Sequence, residues 1–98
     1  MIDLNKLNVT HNESRQRFEI VLNDEVAELT YFLSGEKIYF THTGTPFALR
    51  GKGIAAKLVE AGLTYVCEQG LQVVPMCSYV SAFIERNPIW YVLTQEDE

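Results

Sequence analysis

A chain of 98 residues, 47% hydrophobic and 21% charged, has the size and composition of one folded domain, not of a disordered tail. Its formal net charge of −5 argues against a general nucleic-acid binder, which carries a basic surface. Two cysteines are too few for a disulfide framework, no apolar run reaches the ~18 residues of a membrane span, and residues 1–10 lack a signal-peptide pattern, so a reducing cytoplasm is expected. Part of the negative charge lies in Gln95-Glu96-Asp97-Glu98, read as a solvated end.

The first half reads as strands. Residues 7–11 suggest a short one. Arg17–Leu22 alternates, with Phe18, Ile20 and Leu22 on one face, and Asn23-Asp24 follows as a turn pair. Residues 25–33 alternate again, with Ala27, Leu29, Tyr31 and Leu33 together, and Ser34-Gly35 turns the chain. Residues 37–43 are β-branched and aromatic, and strict alternation puts Ile38, Phe40 and His42 on one face. Such short turns predict an antiparallel meander.

Gly44-Thr45-Pro46 ends the strand over residues 37–43. A helix is predicted over Ile54–Gln69, with Lys57, Glu60, Thr64 and Glu68 as its polar stripe, Cys67 in the core and Gly70 as its stop. Residues 71–76 form a near-continuous apolar run, as for a strand buried on both faces and parallel to residues 37–43. Ser78 is the expected cap of a second helix over residues 79–86, which Asn87-Pro88 ends; residues 89–93 suggest a last short strand.

Between the strand over residues 37–43 and the first helix lies Leu49-Arg50-Gly51-Lys52-Gly53-Ile54-Ala55. The glycines allow a tight bend and close backbone approach, and a helix start supplies unpaired N–H groups. With Arg50 and Lys52 beside them, these groups suit a phosphate or pyrophosphate. A plain strand-to-helix turn is the other reading. The G-x-G-x-x-A spacing formally fits a dinucleotide site, but the following strand ends Val74-Pro75-Met76-Cys77 with no acid for a ribose. The P-loop pattern is absent.

Arg50-Gly51-Lys52-Gly53-Ile54-Ala55 resembles the acyl-CoA signature of the GNAT acetyltransferase superfamily, R/Q-x-x-G-x-G/A. His11-Asn12-Glu13, Arg17-Phe18-Glu19, His42-Thr43, Thr45-Pro46, Pro75-Met76-Cys77-Ser78-Tyr79-Val80 and Arg86-Asn87-Pro88 extend the likeness, over nearly the whole chain, to its shortest members. The resemblance implies an α/β fold of α+β type: an antiparallel meander, then a β-α-β crossover, in a mixed sheet with two main helices and one domain over 1–98. It implies acetyl-CoA as acyl donor, with the amides of Gly51, Lys52, Gly53, Ile54 and Ala55 on the pyrophosphate, Arg50 and Lys52 supporting it, and the main chain at Thr43 along the pantetheine. Asn87 would bond the donor or only cap its helix. The strands around the signature helix would splay to hold the acetyl group.

Cys77 falls at the end of one such strand, just before a helix, where a thiol's pKa tends to fall. It is read as an acetyl-carrying nucleophile, a polar pocket wall, or a buried small side chain. His42, near the end of the other strand, is placed to face Cys77 as a general base, or to bond a neighbouring backbone group. Tyr79 is read as core packing or as an acid for departing CoA, and His11 as structural or on the surface. Two separated histidines and two cysteines lack zinc-ligand spacing, so no metal is expected. The expected function is acetyl transfer to an amine, a polyamine or a protein lysine, by a monomer or weak homo-oligomer; a non-catalytic acyl-CoA-binding module and an interaction domain are the rivals.

Overall fold

In the computed structural model, which describes residues 7–94, five strands form one mixed sheet. They are β1 (Thr10–Asn12), β2 (Arg17–Leu22), β3 (Glu25–Ser34), β4 (Lys37–Gly44) and β5 (Gln72–Pro75), in the order β1-β2-β3-β4-β5. The acidic end after Thr94 lies outside the described residues. The β2–β3 hairpin closes at Asn23 and Asp24, both left-handed with φ of 53° and 63°, the turn that suits the strands' twist. Gly35, at φ 60°, does the same between β3 and β4.

The inner face of the sheet carries Phe18, Ile20, Ala27, Leu29, Tyr31, Ile38 and Phe40, all buried. Helix α1 (Ile54–Gln69) lays Leu58, Val59, Leu63 and Val66 on that face. Gly70 ends it at φ 67°, and the Leu71 N–H bonds back to the Val66 carbonyl. Its polar stripe is as predicted, but Cys67 is exposed, not in the core. It stands three residues after Thr64 and seven after Glu60, on the same stripe.

Strict alternation fails in β4. Thr30 pairs with His42 while Tyr31 pairs with Phe40, so Thr41 is an extra residue in a β-bulge. Beyond it the faces exchange. Thr43, opposite Leu29, is on the inner face, and His42 is exposed on the outer face opposite Thr30. The expectation that His42 shares a face with Ile38 and Phe40 is thereby corrected.

Three further expectations change. The predicted strand over 71–76 is the short edge strand β5, parallel to β4, with only Val73 fully buried and Met76 exposed. Helix α2 (Ser78–Arg86) begins one residue early, so Cys77 occupies the cap position expected of Ser78. Residues 89–93 form no strand but part of a 3₁₀ helix, Pro88–Thr94. The outer rim of β5 is four residues long and ends in Pro75, which has no N–H to donate. A three-residue turn instead brings Trp90 and Leu93 onto the core and leaves Ile89 and Val92 exposed. Among the described residues no helix is long and apolar enough to cross a membrane.

His11 has a structural role. Its ring stacks on Phe18 at 4.2 Å, meets the Tyr65 ring at 4.5 Å, and Nε2 lies 2.5 Å from the Tyr31 hydroxyl. Burial pushes its pKa below 6.5, with Glu13 opposing in part. A depressed histidine pKa means that the unfolded chain takes the proton first. The His11 contribution to stability is therefore complete above about pH 6.5 and is lost as pH falls below it. Thermal melts at pH 7.5 and 5.5 will show a larger drop for the wild type than for His11→Phe. Equal drops would assign the acid sensitivity to other groups.

Candidate functional site

A cleft of about 720 Å³ runs over the C-terminal end of β4. The loop to α1 forms one wall with Leu49, Arg50, Gly51 and Gly53; Ile54 and Ala55 of α1 continue it. Thr43 and Tyr79 line the inner side, and Val26, Glu28, His42 and Gly44 the outer side of the sheet.

The loop leaves β4 through Pro46 and a single 3₁₀ turn, Phe47–Leu49, which buries Leu49. Gly51 and Gly53 then take left-handed angles, φ 76° and 79°, which L side chains rarely adopt. Gly53 is the N-cap of α1, and the first intrahelical bond runs from the Lys57 N–H to its carbonyl at 3.1 Å. The N–H groups of Ile54, Ala55 and Ala56 are thus left without intrahelical acceptors. No side chain caps them and no acid occupies the first turn. The positive end of the helix faces outward uncompensated, in a form suited to an anion. Arg50 is held beside it: Nε donates to the Thr45 carbonyl at 3.1 Å, and the guanidinium lies over the Phe47 ring, 5.9 Å from its centre. Lys52 is exposed and does not line the cleft.

The ladder between β4 and β5 ends at Phe40 and Pro75. The Cys77 N–H still reaches the Phe40 carbonyl at 2.9 Å, which ties the start of α2 to β4. The side chain that meets the thiol is Thr43, its hydroxyl 3.1 Å from Sγ. Burial alone would push the Cys77 thiol up. The Thr43 hydroxyl and the amides of Val80, Tyr79 and Thr43 act against it and hold the thiol below its ordinary 9.0. The amides of the first α2 turn act as dipoles aimed at the sulfur, since no side-chain capping bond of normal geometry closes there.

The sequence-derived residues therefore divide. Thr43, Arg50, Gly51, Gly53, Ile54 and Ala55 gather around one cleft, and Cys77 adjoins it through Thr43. His42 joins that cleft from the outer face. Asn87 lies at the far end of α2, where its amide donates to the Phe83 carbonyl at 2.9 Å, the capping alternative. Glu28 and Val26 also line the cleft, which no motif in the sequence indicates. Alternation places them on the solvent face of β3, but only the β3–β4 register shows that this face adjoins Gly44.

Comparison with known proteins finds relatives. The profile of a family described as GCN5-related N-acetyl-transferase matches residues 17–93. Protein NATD1 of Bos taurus is 36% identical over 86 residues, covering 85% of this chain and 76% of that protein. Protein NATD1 of Danio rerio is 36% identical over 86 residues, covering 85% and 78%. A GCN5-like protein from Staphylococcus aureus, solved by NMR, superposes with a TM-score of 0.72 at 26% identity, over 97% of this chain and 94% of that one.

Proposed function

We propose that this chain, which belongs to the GCN5-related N-acetyl-transferase family, acts as a single domain that binds acetyl-CoA and transfers its acetyl group to an amine. One observation carries the reading. The same cleft brings the unpaired amides of the α1 N-terminus next to Thr43, which holds the lowered thiol of Cys77.

In this reading Gly51, Gly53, Ile54 and Ala55 present N–H groups to the pyrophosphate, and Arg50 adds a full charge. In direct transfer the amine lone pair attacks the acetyl carbonyl carbon, the C–S bond breaks and its electron pair leaves on the CoA sulfur. The amine's extra proton passes to His42 or to water. In the covalent route the Cys77 thiolate attacks first, CoA thiolate departs, and the amine then takes the acetyl group from Cys77. Either route gains most from holding the partners at attack distance in fixed orientation.

Isothermal titration with acetyl-CoA tests this directly; no heat at millimolar ligand sinks it, and binding without transfer to any amine leaves an acyl-CoA-binding module. Arg50→Glu replaces a cation by an anion beside the phosphates. It will weaken acetyl-CoA about tenfold or more, the scale of one charge-assisted hydrogen bond. Acetyl-pantetheine, which lacks the phosphates, will lose little. Equal losses for both ligands would place Arg50 elsewhere.

A further inference from the structure

The outer face of the sheet carries a charged row that the acyl-donor site leaves unused. Glu19 and Glu28 stand directly opposite each other on β2 and β3, and Glu28 stands opposite Gly44 on β4. Like charges in direct cross-strand register repel. Arg17 bridges them: Nε lies 2.6 Å from Glu19 Oε2 and Nη1 lies 3.0 Å from Glu28 Oε1. Asn12 donates to the other Glu19 oxygen at 3.2 Å. One cation against two carboxylates leaves an uncompensated negative charge. It falls at Glu28, whose Oε2 takes no part in the bridge.

Glu28 is also, among the described residues, the one acid lining the cleft. Gly44 makes that possible. A Cβ at position 44 would stand 3.3 Å from His42 Nε2 and 3.4 Å from Glu28 Cγ. The two side chains therefore occupy the space that any larger residue at 44 would claim. The bulge at Thr41 brings His42 to this face, so the imidazole and the tethered Glu28 side chain both border the space over one glycine.

We propose that Glu28 is the residue that selects the acceptor. Held by Arg17 through one oxygen, it receives the ammonium of a cationic alkylamine through the other, at the outer-face end of the cleft. Val26 supplies an apolar wall for the alkyl chain. The ammonium must lose its proton before it can attack; His42, on the same face, is the group beside it that takes one. This assignment rests on the acyl-donor reading of the cleft, but the two fail separately.

The test is a titration of the full chain with 1,4-diaminobutane, followed by amide chemical shifts with and without CoA, beside 1-butanol as neutral probe. Amides of residues 27–29 and 41–44 will shift with the diamine and not with the alcohol. Glu28→Gln will raise the diamine Kd about fivefold, the scale of one partly screened ion pair, and leave CoA binding unchanged. Gly44→Ala, which pushes into both side chains, will weaken the diamine in the same direction. Diamine binding without CoA binding would retain the cation site and remove the acyl-donor reading. Diamine affinity that is equal in wild type and Glu28→Gln, or shifts confined to other residues, would overturn the assignment.

Discussion

Gly62→Ala will lower the melting temperature by several degrees, although alanine is the better helix former. Position 62 is in the middle of α1, where alanine is favoured over glycine by about 1 kcal/mol. A Cβ there would stand 2.9 Å from Leu29 Cδ2 and 3.0 Å from Phe40 Cζ. Both neighbours are fully buried, so neither has open space to retreat into. Overpacking of this kind costs about 1–3 kcal/mol, more than the propensity gain at the upper end. The expected net loss is about 1 kcal/mol, within a range of about 0–2 kcal/mol, and each kcal/mol is worth about 4–8 °C in a domain of this size. Leucine at 62 will cost more and is expected to leave little folded protein. Thr64→Ala, on the exposed stripe, is the control and will hardly move the transition. A Gly62→Ala variant as stable as wild type would mean that α1 can lift from the sheet without penalty. The contact matters beyond stability. The distance of α1 from β4 fixes where its N-terminal amides stand over the end of that strand.

Much of this arrangement is legible in the sequence because it rests on local chemistry. Asn23-Asp24 and Gly35 can take left-handed angles, so the hairpins and their register follow. Gly51, Gly53 and Gly70 bound α1 for the same reason. What alternation does not reveal is an inserted residue. The bulge at Thr41 carries no composition signal, yet it exchanges the roles of two adjacent side chains. It sends Thr43 to Cys77 and puts His42 on the face that carries Glu28. The exposure of Cys67 follows from its spacing from Glu60 and Thr64, which is that of the polar stripe. Residues 89–93 have strand-like composition, and their fate is decided by packing, since Trp90 and Leu93, three residues apart, both turn onto the core. Glu28 is invisible locally, because its position depends on pairing with a residue sixteen places later.

Cys77→Ala will abolish the acetyl adduct that intact-mass spectrometry is expected to detect on the wild type after incubation with acetyl-CoA. Two opposed effects meet at this sulfur: partial burial disfavours the thiolate, while the Thr43 hydroxyl at 3.1 Å and the amides at the start of α2 favour it. The second set wins, so more thiolate is present near neutrality than for an ordinary cysteine. The balance can be measured without acetyl-CoA. In a Cys67→Ser background, which removes the exposed competitor, the rate of alkylation by iodoacetamide will rise with pH through a midpoint below 9.0. Thr43→Val keeps the shape of the side chain but removes the hydroxyl, and will move that midpoint upward. An unchanged midpoint would take the hydroxyl out of the thiol's support and leave the helix amides as its source. The adduct decides the route. An acetyl group that persists in Cys77→Ala would refute the covalent path, and transfer would then run directly to the amine with Cys77 as a wall of the pocket. An adduct lost in Cys77→Ala and slowed in Thr43→Val would tie the chemistry to the Thr43–Cys77 contact that the β4 bulge allows.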